Sequence, residues 1–222
     1  MNIADNLNIY LEEIGDRNCK LVAISKRKPV SDILSAYNAG HRIFGENKVQ
    51  ELVEKVSQLP EDIEWHMVGH LQTNKVKYIT PFVDLIHSVD SFKLLKEINK
   101  QARKHNRVIS CLLQVHIARE ETKFGLSESE LHEMLEEITR SDFTNIKIVG
   151  LMGMATYTSD EEIIRSEFRQ LKHIFDSLAV KFKHYLIDMK ELSIGMSGDY
   201  KIAIEEGSTM IRIGTGVFGA RN

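Results

Sequence analysis

Residues 21–59, "LVAISKRKPVSDILSAYNAGHRIFGENKVQELVEKVSQL", carry one pattern twice. A short apolar run, Leu21–Ile24, is followed by a basic turn and the helical stretch "VSDILSAYNAG". A second run, "RIFGE", is followed by "NKVQELVEKVSQL". Short β-branched runs bounded by turn residues read as buried strands, and apolar residues at a spacing of three to four read as one face of a helix. The spacing places a strand ending at Lys26, a helix capped by Ser31 and stopped by Gly40, and a strand ending at Gly45-Glu46-Asn47.

The alternation continues outward in both directions. A leading helix over about residues 2–15 precedes it. Apolar runs recur at "IEWHMVG", "VDLIHSV", "VISCLLQVHIA", "IKIVGLMGM", "HYLIDMKELSIG" and "TMIRIG". All but the last are followed by a helical pattern. Strands separated by helices predict a parallel sheet with helical crossovers. Eight such units in 222 residues suit a single (β/α)8 TIM-type barrel with an extra N-terminal helix, because eight strands close without an edge. The alternative is an open doubly wound sheet.

Composition narrows the function classes. The chain has 42% hydrophobic residues, three prolines and no Gly/Ser-rich linker, which favours one domain over residues 1–222. A net charge of −3 offers no electrostatic case for nucleic acid or an anionic membrane. No stretch approaches the roughly 18 apolar residues of a membrane span. Cys19 and Cys111 are far apart and lack metal-ligand spacing, and the acidic amphipathic N-terminus has no apolar core of a signal peptide. The expected location is the cytoplasm.

In a barrel, chemistry collects where strands end. Lys26 follows the first strand, Asn47 the second, His66 the third and His87-Ser88 the fourth. Ser197 follows the seventh, and Gly214-Thr215 the eighth. The closing "GTGVFG" formally matches a dinucleotide fingerprint at Gly214, Gly216 and Gly219, but no second strand or acidic residue follows it. What remains is a pair of glycine-rich turns where barrels hold phosphate, with the amides of Gly214, Thr215 and Gly216 and the hydroxyls of Ser197 and Thr215 as donors. The competing reading is that the glycines only permit tight turns. A partly desolvated lysine beside a phosphate cup suits Schiff-base formation with an aldehyde.

The blocks "VAISKRKP", "FGENKVQE", "WHMVGHLQTNK", "IHSVDS", "GLMGMA" and "LSIGMSGDYKIAIEEGSTMIRIGTGVFGAR" together resemble the pyridoxal phosphate homeostasis protein family. That family shares its barrel with the N-terminal domain of alanine racemase, and the likeness runs over nearly the whole chain. The resemblance implies pyridoxal 5′-phosphate as cofactor, Lys26 as the Schiff-base lysine, Ser197, Gly214 and Thr215 as phosphate ligands, and Arg212 facing the pyridine nitrogen. Asn47 matches a cofactor-side asparagine. His66, Gln72, Asn74 and Lys75 fall in a block near the cofactor, and Lys28 and Lys123 are candidates to receive it during transfer.

Arg27, Lys48 and His116 depart from the family's usual threonine, tyrosine and asparagine. The implied role is vitamin B6 homeostasis without efficient catalysis, with pyridoxal phosphate-dependent apoenzymes as recipients. The second domain that supplies the opposing base in racemases is expected to be missing, which also points to a monomer. Two alternatives stay open: a small racemase or decarboxylase using a base such as His66 or Lys123, and a barrel enzyme acting on a phosphorylated metabolite.

Overall fold

A computed structural model describes residues 2–120 and 124–219. Eight parallel strands close into a barrel in sequence order. They are β1 (Lys20–Ile24), β2 (Ile43–Glu46), β3 (Glu64–Met67), β4 (Leu85–Val89), β5 (Ile109–Gln114), β6 (Ile146–Met152), β7 (Ile187–Met196) and β8 (Met210–Ile213). The helices are α1 (Ile3–Ile14), α2 (Val30–Asn38), α3 (Val49–Val56), α4 (Val76–Ile79), α5 (Phe92–Lys104), α6 (Glu128–Thr139), α7 (Glu161–Lys181), α8 (Tyr200–Glu205) and α9 (Thr215–Phe218).

Helix starts follow local chemistry. Ser91 caps α5 by accepting from the Leu94 amide, and Ser127 with Glu130 forms a reciprocal capping box on α6. Along α5 the buried residues are Leu94, Leu95, Ile98, Gln101 and Ala102, a stripe that faces the sheet while its lysines and arginine stay outside.

The interior is layered. The larger apolar cluster lies between sheet and helices and includes Phe44, Trp65, Ile86, Leu113, Phe168 and Ile211. A smaller one, with Val22, Ile24, Leu85, Leu112, Val149, Met152 and Met210, fills the barrel itself. Alternate strand residues supply the two layers, as the pleat requires.

Three sequence expectations are corrected. β1 ends at Ile24, so Lys26 stands in the turn two residues further on. Helix α2 begins at Val30 with Pro29 at the cap position, so Ser31 lies inside its first turn; the fixed φ of proline, here −68°, starts the helix without a side-chain cap. The eighth strand, too, is followed by a helix, the four-residue α9, whose glycine content hid it. Gly40, at φ +96°, stops α2 as expected.

Candidate cofactor site

Lys26, Asn47, Ser197 and Gly214-Thr215 sit just beyond the C-terminal ends of β1, β2, β7 and β8. In the closed barrel these strands are consecutive neighbours, in the order β7-β8-β1-β2. The expected residues therefore share one arc of one mouth. The loop ends touch: a Cβ built on Gly214 would stand 3.4 Å from the Ile24 carbonyl oxygen, and Asn47 backbone packs directly under Gly69.

The backbone around Lys26 is tied on both sides. On one side, Lys55 Nζ donates to the Ser25 carbonyl (2.7 Å), to Glu46 Oε1 (2.6 Å) and to Glu51 Oε1 (2.7 Å). Ser25 Oγ also donates to Glu46 Oε1 at 2.6 Å, and the Arg27 amide donates to Glu51. Burial raises the Glu46 carboxyl above its ordinary range, and the Lys55 ammonium beside it pulls back. On the other side, Lys28 Nζ donates to the Phe218 carbonyl at the end of α9, 2.8 Å away. Arg27, between them, adopts φ +60°.

The arc between β7 and β8 is rich in donors. Among the described residues, the amides of Ser197, Gly198, Gly214, Thr215 and Gly216 donate to no protein acceptor, nor do the hydroxyls of Ser197 and Thr215. First-turn amides are left this way by helix geometry. The N-terminal helix braces both turns from outside. Asn6 Nδ2 donates to the Val217 carbonyl at 2.9 Å, and Glu13 takes the Tyr200 hydroxyl and pairs with Lys201. Gly216 is explained by that brace, since a Cβ there would lie 1.9 Å from the Tyr10 hydroxyl oxygen.

Arg212 lies below the arc, buried on β8. Its Nη1 donates to the Ser193 carbonyl (2.8 Å) and hydroxyl (2.6 Å), and Nη2 donates to the Gly153 carbonyl (3.0 Å). Among the described residues three of its five N–H groups find acceptors, which leaves two without one. Burial pushes the guanidinium down to about 10, with Asp199 opposing the shift, so it is still a cation at neutral pH.

His66 is placed differently from the expectation. β3 runs past it to Met67, and its ring lies inside the barrel with both nitrogens engaged, one by His87 at 3.0 Å and the other by Glu64 at 3.0 Å. It is an interior residue rather than part of the mouth. Lys75 ends a short 3-10 turn, Thr73–Lys75, after β3. Lys123 lies outside the described residues. Sequence reasoning missed Lys55, Glu51 and Ser193. The Glu51–Lys55 spacing of four was the one local signal, and it reads as an ordinary helix-surface pair.

The comparisons with known proteins agree on one family. The model for the N-terminal domain of alanine racemase matches residues 1–222. A pyridoxal phosphate homeostasis protein of Aquifex aeolicus is 41% identical over 231 residues, covering 100% of this chain and 99% of that protein. The protein of that name from Escherichia coli K12 is 35% identical over 206 residues, 91% of this chain and 86% of its own length.

Among solved structures, PipY of Synechococcus elongatus PCC7942 with PLP bound has a TM-score of 0.88 and 33% identity, covering 98% of this chain and 100% of PipY. Alanine racemase from Bartonella henselae has a TM-score of 0.72 at 15% identity, over 99% of this chain and 58% of the racemase, a likeness of fold alone. By sequence over its full length, the chain belongs to the pyridoxal phosphate homeostasis protein family.

Proposed function

We propose that this protein binds pyridoxal 5′-phosphate as a Schiff base on Lys26 and serves vitamin B6 homeostasis in the cytoplasm, passing the cofactor to apoenzymes rather than using it efficiently itself. One observation carries the reading: at one barrel mouth stand a lysine, an arc of amides and hydroxyls that donate to no acceptor among the described residues, and a buried arginine with two N–H groups likewise without one. The residues fit the group in three places. The amides and hydroxyls of Ser197, Gly214 and Thr215 offer the donors a phosphate needs. Lys26 would hold the group through its amine, which would condense with the aldehyde with loss of water. Asn47 closes the arc beside Lys26.

Arg212 supports the non-catalytic part. Bound pyridoxal phosphate supplies an electron sink, and that sink is deepest when the ring nitrogen is protonated. A guanidinium that is still protonated at neutral pH and has only donors gives the nitrogen a hydrogen bond but no carboxylate to keep a proton there. His66, one base considered for an enzymatic reading, has both ring nitrogens bound to protein partners.

The test is a titration of apo-protein with pyridoxal phosphate, borohydride reduction and peptide mapping. The expected result is a visible absorption band that reduction fixes on Lys26 and that Lys26→Ala lacks. Label scattered over surface lysines would overturn the reading. Steady turnover of free amino acids would restore the racemase or decarboxylase alternative.

A further inference from the structure

A line of polar side chains crosses the barrel from the mouth to the opposite face. Arg212 donates to Ser193 Oγ at 2.6 Å, Ser193 Oγ lies 3.0 Å from His87 Nδ1, and His87 Nε2 lies 3.0 Å from His66 Nδ1. His66 Nε2 in turn lies 3.0 Å from Glu64 Oε1. Four strands contribute: β8, β7, β4 and β3. Ser193, His87 and His66 are fully buried. Glu64, the first residue of β3, is 46% exposed at its side chain and is where the line meets solvent.

The two ends set the direction of every proton between them. A guanidinium only donates, so Ser193 Oγ accepts from it and must spend its own hydrogen elsewhere. A carboxylate only accepts, so His66 Nε2 carries a hydrogen and donates to Glu64. With neutral imidazoles, His66 Nδ1 is then an acceptor, His87 Nε2 carries a hydrogen, and His87 Nδ1 accepts the Ser193 hydroxyl. All donation runs one way, from Arg212 to Glu64.

We infer that Ser193, His87 and His66 are positioning residues that aim Arg212 at the cofactor ring, and that protonation entering at Glu64 reverses their chain and loosens the cofactor at the far mouth. This rests on the reading of Arg212 given above. A second proton on His66 turns its Nδ1 into a donor. His87 must then accept at Nε2 and carry its hydrogen on Nδ1, pointing at a Ser193 oxygen that already accepts from Arg212. The serine hydrogen swings away, and the His66 imidazolium, two links from Arg212, adds a second cation to the same low-dielectric barrel.

Burial, reinforced by His66 and Arg212, holds His87 well below the ordinary imidazole range, so the His87 ring is neutral at neutral pH. The other charged groups near the outer end are accounted for. Lys20 of β1 pairs with Glu191 of β7 at 2.6 Å. Asp84 accepts the Trp65 amide and pairs with Arg107. Neither carboxylate hydrogen-bonds to the chain, although Asp84 lies near enough to Glu64 and His66 to feel their charges.

Two measurements test this. In apo-protein, long-range ¹⁵N–¹H NMR reads the imidazole tautomers, and the expected result at neutral pH is Nε2–H on both His66 and His87. Nδ1–H on either ring overturns the inference. Pyridoxamine 5′-phosphate, whose amine cannot condense with Lys26, then serves as a probe in calorimetric titrations between about pH 8 and 5.5.

Ser193→Ala is expected to bind it about tenfold more weakly than wild type at high pH, a gap that closes as the pH falls. Glu64→Gln, at the solvent edge where folding is not at stake, keeps the acceptor but loses the charge. Its affinity–pH profile is expected to move about one unit toward acid. Superimposable profiles for all three proteins, with pyridoxal phosphate still trapped on Lys26, overturn this inference alone. No binding of the probe to wild type overturns it together with the reading of the site.

Discussion

Two buried polar clusters serve the same mouth by different physics. The rim cluster of Ser25, Glu46, Glu51 and Lys55 is ionic: one ammonium is shared by two carboxylates and a carbonyl. The interior column of Ser193, His87 and His66 is a run of one hydroxyl and two imidazoles between charged ends. An ion cluster holds position strongly but has no direction, because an ammonium offers the same three donors to whatever surrounds it. A column of hydroxyl and imidazoles is weaker per bond, yet each member dictates the hydrogen position of the next. The first suits a loop that must stay put. The second suits a guanidinium that must be aimed.

The largest expected effect comes from breaking the rim. Lys55→Met leaves Glu46 buried beside Ser25 with no cation, and removing one partner of a buried pair costs about 3–5 kcal/mol. Urea unfolding should show that loss, and pyridoxal phosphate affinity should fall with it as the Lys26 turn loses its tie. A loss below about 1 kcal/mol would mean that the cluster is wetter than its burial implies, and the contrast with the column would collapse.

The column makes the next contribution, and its sign can be worked out. His87 has a lowered value in the folded chain, so between that value and the unfolded value near 6.5 the unfolded chain binds a proton that the native chain refuses. Stability is therefore intact above about pH 6.5 and is lost as pH falls below it, at up to about 1.4 kcal/mol per pH unit for one group. His41, also lowered by burial, adds to the same slope from outside the barrel. His87→Gln should flatten the slope of the unfolding midpoint between about pH 6.5 and 5.5 and leave the His41 part. An unchanged slope would show that the folded His87 ring takes up a proton as readily as the unfolded one.

The two clusters were unequally legible in the sequence. The barrel could be read because eight apolar runs recur and all but the last are followed by a helical period, a local signal repeated along the chain. The position of Lys26, Asn47, Ser197 and Thr215 at the mouth could be read because each lies one or two residues beyond such a run, and closure brings neighbouring runs together. The column could not be read: Ser193 and His87 are 106 residues apart, and only the barrel's register puts them at 3.0 Å. Nor could the placement of His66, since a three-residue uncertainty in where a strand ends decides whether a side chain faces ligand or core. The family likeness named Arg212, whose partners emerge only from the fold.

The smallest expected effect sharpens the rim's side of the comparison. Arg27 stands at φ +60°, a conformation that costs a side-chain-bearing residue about 1 kcal/mol, and its amide is held by Glu51. Arg27→Gly removes that strain but gives the unfolded chain extra freedom, worth about 0.5–1 kcal/mol in the other direction. The two nearly cancel, so urea unfolding should place the variant within about 0.5 kcal/mol of the parent. If the turn is held through its backbone, pyridoxal phosphate affinity should be equally unmoved. A clear loss of affinity at unchanged stability would instead assign the exposed Arg27 guanidinium a direct role at the mouth, and the rim would then act through side-chain charge as well as through the backbone it fixes.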